Sequence, residues 1–286
     1  MKTIGILSYE RAGTTWLTHV LHTEGVLCLY EIFSRNPAQY YWNILNLMKT
    51  TDCIPEVAIK AFEKIFHPEN MRVDPLSYRK IKRKMLASNP FSIELLKTYQ
   101  EEAYKRNKML CFKIFPYHLQ ENIRVEDVID LCDYIIITYR DNILETFLSW
   151  KLAIKTGEWT KKSLRRDQQD RSTPAKVSWD EVEYRAFYQD ICGYINEWKR
   201  ASSNSKREIL MYEDIHNMGY TIDQKLRLVQ KTIDSLGINM SVYNGQNIEK
   251  QADYSDLSKI IDNFADFIIS KDNIPIFYHT SLERNI

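Results

Sequence analysis

Short apolar runs, partly β-branched, recur along the chain with longer, helix-periodic stretches between them, and this alternation limits the fold more than any other feature. The runs are Thr3–Ser8, Met109–Ile114, Tyr134–Thr138 and Glu208–Tyr212; they read as buried strands. Helices are predicted at Thr14–Thr23, in several pieces between Pro37 and Arg106, and at Asn142–Thr156, Trp179–Ala201, Ile222–Leu236 and Ser255–Ser270. A strand that returns to its sheet after a helix does so by a crossover. The pattern therefore predicts an α/β fold, a three-layer sandwich with a central, mostly parallel sheet flanked by helices. In such sheets ligands sit beyond the carboxyl ends of the strands, so the residues directly after each strand are where chemistry is to be sought.

The chain's 286 residues, 44% of them hydrophobic, suffice for one sizeable core. With only 8 Gly and 8 Pro scattered through it, no linker or repeat divides it. One domain over residues 1–286 is the expectation. Lys plus Arg number 39 against 38 Asp plus Glu, so no broad positive field invites a nucleic acid, and any anion site must be local. The cysteines Cys28, Cys53, Cys111, Cys132 and Cys192 are odd in number and form no CxxC pair, which suits free thiols in a reducing cytoplasm. No run approaches the ~20 apolar residues of a membrane span, and Ile4–Leu7 is too short for the apolar core of a signal peptide. A cytoplasmic protein is expected. The polar, basic segment Thr156–Ser178, with Lys161, Lys162, Arg165, Arg166 and Arg171, reads either as a solvated excursion or as a basic lid or acceptor-binding loop.

After the first strand comes Ser8-Tyr9-Glu10-Arg11-Ala12-Gly13-Thr14-Thr15-Trp16-Leu17, with a helix predicted from Thr14. Gly13 permits close backbone approach, the helix start offers unbonded N–H groups and a positive dipole end, and the Thr14 and Thr15 hydroxyls add donors. Arg11 supplies a planar donor fork for phosphate or sulfonate oxygens. Gly13 is followed by Thr14 and not by the Lys of a Walker A loop, which disfavours an ordinary ATP or GTP site. Read locally, the same residues also fit a plain helix start beside a surface Arg. The second anion candidate is Arg140, directly after the strand Tyr134–Thr138. In the helix that follows, Ser149 lies nearly opposite the apolar stripe of Ile143, Leu144, Phe147, Leu148, Trp150 and Ile154, on the face of Asn142.

These two segments resemble the 5′-phosphosulfate loop and the 3′-phosphate motif of sulfotransferases that use 3′-phosphoadenosine 5′-phosphosulfate (PAPS). The loop stands here as Glu-Arg-Ala-Gly-Thr-Thr-Trp, departing at Glu10 from the family's Pro and at Ala12 from its Ser, and the Arg-to-Ser spacing of nine fits the family's eight or nine. Ser149-Trp150 with Ala153, Gly157 and Trp159 resembles a run of the bacterial carbohydrate-type enzymes. Tyr212-Glu213-Asp214 is similar to the segment after the family's last core strand. The resemblance implies a P-loop-like sandwich, PAPS as co-substrate and 3′-phosphoadenosine 5′-phosphate (PAP) as product. It implies that Arg11, Ala12, Gly13, Thr14, Thr15, Arg140 and Ser149 bind the nucleotide, and that Trp16 and Tyr212 lie near the adenine or serve as core aromatics. Lys250 could add charge at the 3′-phosphate.

In-line sulfuryl transfer needs positive groups around the leaving phosphate and a base for the acceptor's proton, and the scheme requires no metal. Arg11 is the electrophilic candidate. Glu31, in Tyr30-Glu31-Ile32-Phe33, resembles the Glu-x-Phe element that carries the base in bacterial and tyrosyl-protein relatives. His118, in Lys113-Ile114-Phe115-Pro116-Tyr117-His118, is the rival, although the cytosolic enzymes space their Lys and His by two residues rather than five. Lys113 either steadies the transferring group or ends a strand. A saccharide or glycolipid hydroxyl is the first choice of acceptor, with a phenol or small alcohol behind it, and Tyr40, Tyr41 and Trp42 could stack on a sugar or be core. A nucleotide-dependent kinase on a P-loop-like fold and an inactive nucleotide-binding module remain as alternatives. Oligomeric state is not legible in the sequence.

Overall fold

The computed structural model describes residues 2–23, 25–29, 93–119, 123–156, 175–215, 220–242 and 256–277. Among these, five strands form one sheet: β1 (Thr3–Leu7), β2 (Val26–Cys28), β3 (Met109–Ile114), β4 (Tyr134–Tyr139) and β5 (Lys206–Met211), in the order β2-β3-β1-β4-β5. Every neighbouring pair is parallel. The fold is α/β, with the central parallel sheet flanked by helices, as the alternation of runs predicts. Between the strands lie α1 (Thr14–Leu21), α2 (Ile93–Lys105), α3 (Val125–Ile129), α4 (Ile143–Thr156) and α5 (Glu181–Ala201). After β5 come α6 (Tyr212–Ile215), α7 (Ile222–Ser235) and α8 (Phe264–Ser270).

The period of two along each strand sorts the core into two layers. Ile4 and Ile6 of β1, Cys111 of β3 and Ile136 of β4 pack with Trp16, Leu17, Val20 and Leu21 of α1 and with Val229 and Ile233 of α7. Leu7, Phe112, Ile114, Ile135, Ile137 and Tyr139 face the opposite layer, with Tyr99 of α2, Phe147 of α4 and Ile195 and Trp198 of α5. Strands covered on both faces read as continuous apolar runs, which is why they are legible in the sequence. Cys28 and Cys111 are buried free thiols in register on adjacent strands, and Cys132 and Cys192 are also free. Among the described residues no helix is long and apolar enough to cross a membrane.

One predicted helix, Ser255–Ser270, is interrupted. A 3-10 turn at Leu257–Lys259 gives way to Ile261, which forms a bridge with Val177, and α8 begins only at Phe264. Tertiary pairing overrides the local periodicity. Asn263 accepts from the Trp179 N–H at 2.6 Å and donates to the Trp179 carbonyl at 3.0 Å, so its side chain serves a distant backbone at the point where a helix would have to continue. The helix α3 carries no prediction from the sequence.

Candidate functional site

Strand register brings the candidate residues to one edge. Leu7 pairs with Ile114 on one side and with Ile137 on the other, and Tyr139 pairs with Met211, so the strands β1, β3, β4 and β5 end together. The segments carrying Arg11, Phe115–His118, Arg140 and Tyr212 therefore emerge side by side at the carboxyl edge of the sheet.

The loop after β1 is shaped by two residues in the left-handed region, Arg11 at φ 70° and Gly13 at φ 74°. Glycine takes that conformation freely, whereas arginine does so at a cost of about 1–3 kcal/mol that the surroundings must offset. Gly13 precedes α1 with no side-chain cap, and its carbonyl accepts from the Trp16 and Leu17 amides. By helix geometry the amides of the first turn then point out of the helix beyond β1, beside the half-exposed Thr15. Ala12, by contrast, is packed in the core, and Trp16 lies buried beneath α1. Lys113 is only 2% exposed; its ammonium stands 3.4 Å from Thr15 Oγ1 and 5.3 Å above the Phe115 ring. Its ammonium and the N-terminal end of α1 thus lie side by side at this edge.

The loop meets the helix after β4 directly. Arg11 Nε donates to the buried Ser149 Oγ at 2.8 Å. Tyr9 ties the same two segments from below, accepting from the Arg140 N–H at 2.9 Å and donating to the Arg140 carbonyl at 2.7 Å. Burial holds the Tyr9 phenol protonated, well above the ordinary phenol range, and the nearby Glu213 charge pushes the same way.

Arg140 is 3% exposed. Its guanidinium pairs with Glu145, lies 3.9 Å from Glu213 and covers the Tyr212 ring at 4.4 Å. Glu213 also accepts from the Asp141 and Asn142 amides at 3.0 and 3.2 Å, neutralising the start of α4. Asn142 and Glu145 close that helix end reciprocally: the Asn142 amide oxygen accepts from the Glu145 N–H at 3.0 Å, and the Asn142 amide nitrogen donates to Glu145 at 3.2 Å. An isolated bridge from Asn142 to Phe277 brings the chain's late segment against the same corner.

His118 is buried in a 3-10 turn, stacked on Phe115 and edge-on to Tyr117. Its Nδ1 accepts from the Phe115 amide at 3.1 Å. The neutral ring therefore carries its proton on Nε2 and turns a donor, not a lone pair, to its other side.

The structure thus gathers Arg11, Gly13, Thr14, Thr15, Lys113, His118, Arg140, Ser149 and Tyr212 at one edge. Glu31, Tyr40, Tyr41, Trp42, Gly157, Trp159, Lys250 and most of the basic segment 156–178 lie outside the described residues, as does Cys53. Tyr9, Glu145 and Glu213 join the site without having been singled out in the sequence. Asn142-x-x-Glu145 is a readable capping pair, whereas Tyr9 and Arg140 are 131 positions apart and no local signal links them. Among the described residues no group of three His, Cys, Asp or Glu side chains could hold a metal ion.

The sequence matches no family model and no curated protein. The crystal structure of a sulfotransferase from Alicyclobacillus acidocaldarius superposes with a TM-score of 0.41 at 10% sequence identity over 87% of each chain. That is a remote likeness, from which neither activity nor substrate carries over.

Proposed function

We propose that the chain, as one domain, is a sulfotransferase that takes the sulfuryl group of PAPS to an acceptor hydroxyl. The observation that carries this reading is the bond from Arg11 to Ser149. Two anion motifs that resemble the two halves of a PAPS site, and that are far apart in the chain, touch at the carboxyl edge of adjacent strands.

In this scheme the 5′-phosphosulfate lies over the loop from Arg11 to Thr15, and the 3′-phosphate binds at Arg140 and Ser149, with Lys250 as a further charge. Tyr212, and Trp16 behind the loop, serve the adenine. Acceptor oxygen attacks sulfur in line, the sulfur bond to the bridging oxygen breaks, and PAP leaves. Arg11, Lys113 and the first amides of α1 meet the charge that grows on that oxygen. The acceptor's proton passes to Glu31. The assignment of the base to Glu31 over His118 is supported by the hydrogen bond that already occupies His118 Nδ1. The sequence resemblance favours a saccharide or glycolipid hydroxyl as acceptor.

Calorimetric titration with PAP, AMP and ATP tests the reading, with Arg140→Ala as control. Binding that requires the 3′-phosphate and weakens in the variant supports it. Preference for ATP with Mg²⁺ would return a kinase to first place.

A further inference from the structure

Two carboxylates stand beside the buried Arg140 guanidinium. One guanidinium faces two carboxylates, Glu145 in direct ion pair and Glu213 at 3.9 Å, while the Tyr212 ring closes one flat side. An incoming phosphate would meet both carboxylates at short range, where like charges repel. One of them must yield.

The two are held differently. Glu213 is bound to the backbone amides of Asp141 and Asn142, which the fold fixes in place. Glu145 has only side chains as partners, Arg140 itself and the amide of Asn142, and with its side chain 24% accessible against 38% for Glu213, it is the anchoring and not the exposure that separates the two. Rotation about its own side-chain bonds carries it into water without moving the backbone.

We infer that Glu145 is a built-in substitute for the nucleotide's 3′-phosphate, a counter-ion that neutralises buried Arg140 and gives way when that phosphate binds. The inference rests on the sulfotransferase reading and adds a specificity determinant to it. A competing internal anion lowers the affinity contributed by the 3′-phosphate and hastens loss of the product PAP, which carries the same group.

Glu145→Gln tests the idea while leaving α4 closed, because glutamine can still accept from Asn142. PAP and AMP are titrated into wild type, Glu145→Gln and the double variant Arg140→Ala/Glu145→Gln, with Glu145→Ala as a second carboxylate-free protein. Either single variant should bind PAP about tenfold tighter than wild type, with AMP affinity unchanged and PAP dissociation slower, and the double variant should lose the gain. If wild type prefers PAP to AMP and neither single variant widens that preference, Glu145 merely orients Arg140; the inference falls and the sulfotransferase reading stands. If neither wild type nor the variants distinguish PAP from AMP, the reading fails and takes the inference with it.

Discussion

Arg11 Nε and Ser149 Oγ lie 2.8 Å apart, so a loop at one end of the chain and a helix in its middle share one hydrogen bond at the sheet's carboxyl edge. Ser149→Ala removes the acceptor of the Arg11 Nε–H. PAP affinity should drop about tenfold with AMP affinity little changed, a loss of about 1.4 kcal/mol that belongs to a hydrogen bond with a charged group. Calorimetry on the two ligands measures it; an equal loss for both would place Ser149 away from the 3′-phosphate.

Tyr9→Phe tests how the fold aims Arg140. The hydroxyl serves both the N–H and the carbonyl of Arg140, and its removal takes both hydrogen bonds away. The expected cost is about 1–3 kcal/mol of unfolding free energy, read from the urea midpoint at constant m-value. No change in midpoint would mean that water replaces the hydroxyl.

Glu213→Ala strips the charge that holds the Asp141 and Asn142 amides at the start of α4. A stability loss of about 1 kcal/mol should follow, with Glu213→Gln recovering part of it because an amide oxygen still accepts. Denaturant titration of the two variants side by side decides whether the carboxylate acts through the helix start.

Gly5 lies in the middle of β1, where an added Cβ would come within 2.7 Å of Cys132 Sγ. Gly5→Ala should destabilise by about 1–3 kcal/mol, and pairing it with Cys132→Ala should restore much of the loss by making room. A double-mutant cycle on melting temperature shows the coupling; additive effects would mean that the strain is relieved elsewhere.

Several acids with raised pKa, Tyr9, Cys111 and Cys132 among them, set an alkaline limit. Burial raises Tyr9 above the usual phenol range, and the neighbouring Cys28 thiol, together with burial, raises Cys111 above the usual thiol range. For groups whose folded pKa is raised, the stability contribution is whole below the unfolded pKa and is lost as pH rises beyond it. Stability should therefore decline from about pH 8.5 through Cys111 and Cys132 and more steeply above about pH 10 as Tyr9 joins, by up to ~1.4 kcal/mol per pH unit per group. Urea midpoints between neutral and strongly alkaline pH check this. Tyr9→Phe should flatten the upper part of the profile.

The local chemistry of the sequence determined the elements and the nature of each anion-binding segment. β1, β3 and β4 are covered on both faces, so burial wrote them as unbroken apolar runs, and the residues of the loop after β1 declare a helix start suited to an anion. Asn142 and Glu145 likewise close the start of α4 through contacts three residues apart. Only the tertiary structure decided which distant groups meet. Parallel pairing of β1 with β4 set Arg11 against Ser149 and Tyr9 against Arg140, the approach of the segment after β5 supplied Glu213 and Tyr212, and the bridge from Val177 to Ile261 ended a helix that its own periodicity would have continued. Helical and strand periodicities are written within a few turns of chain, whereas the neutralisation of a buried guanidinium depends on which strands lie side by side.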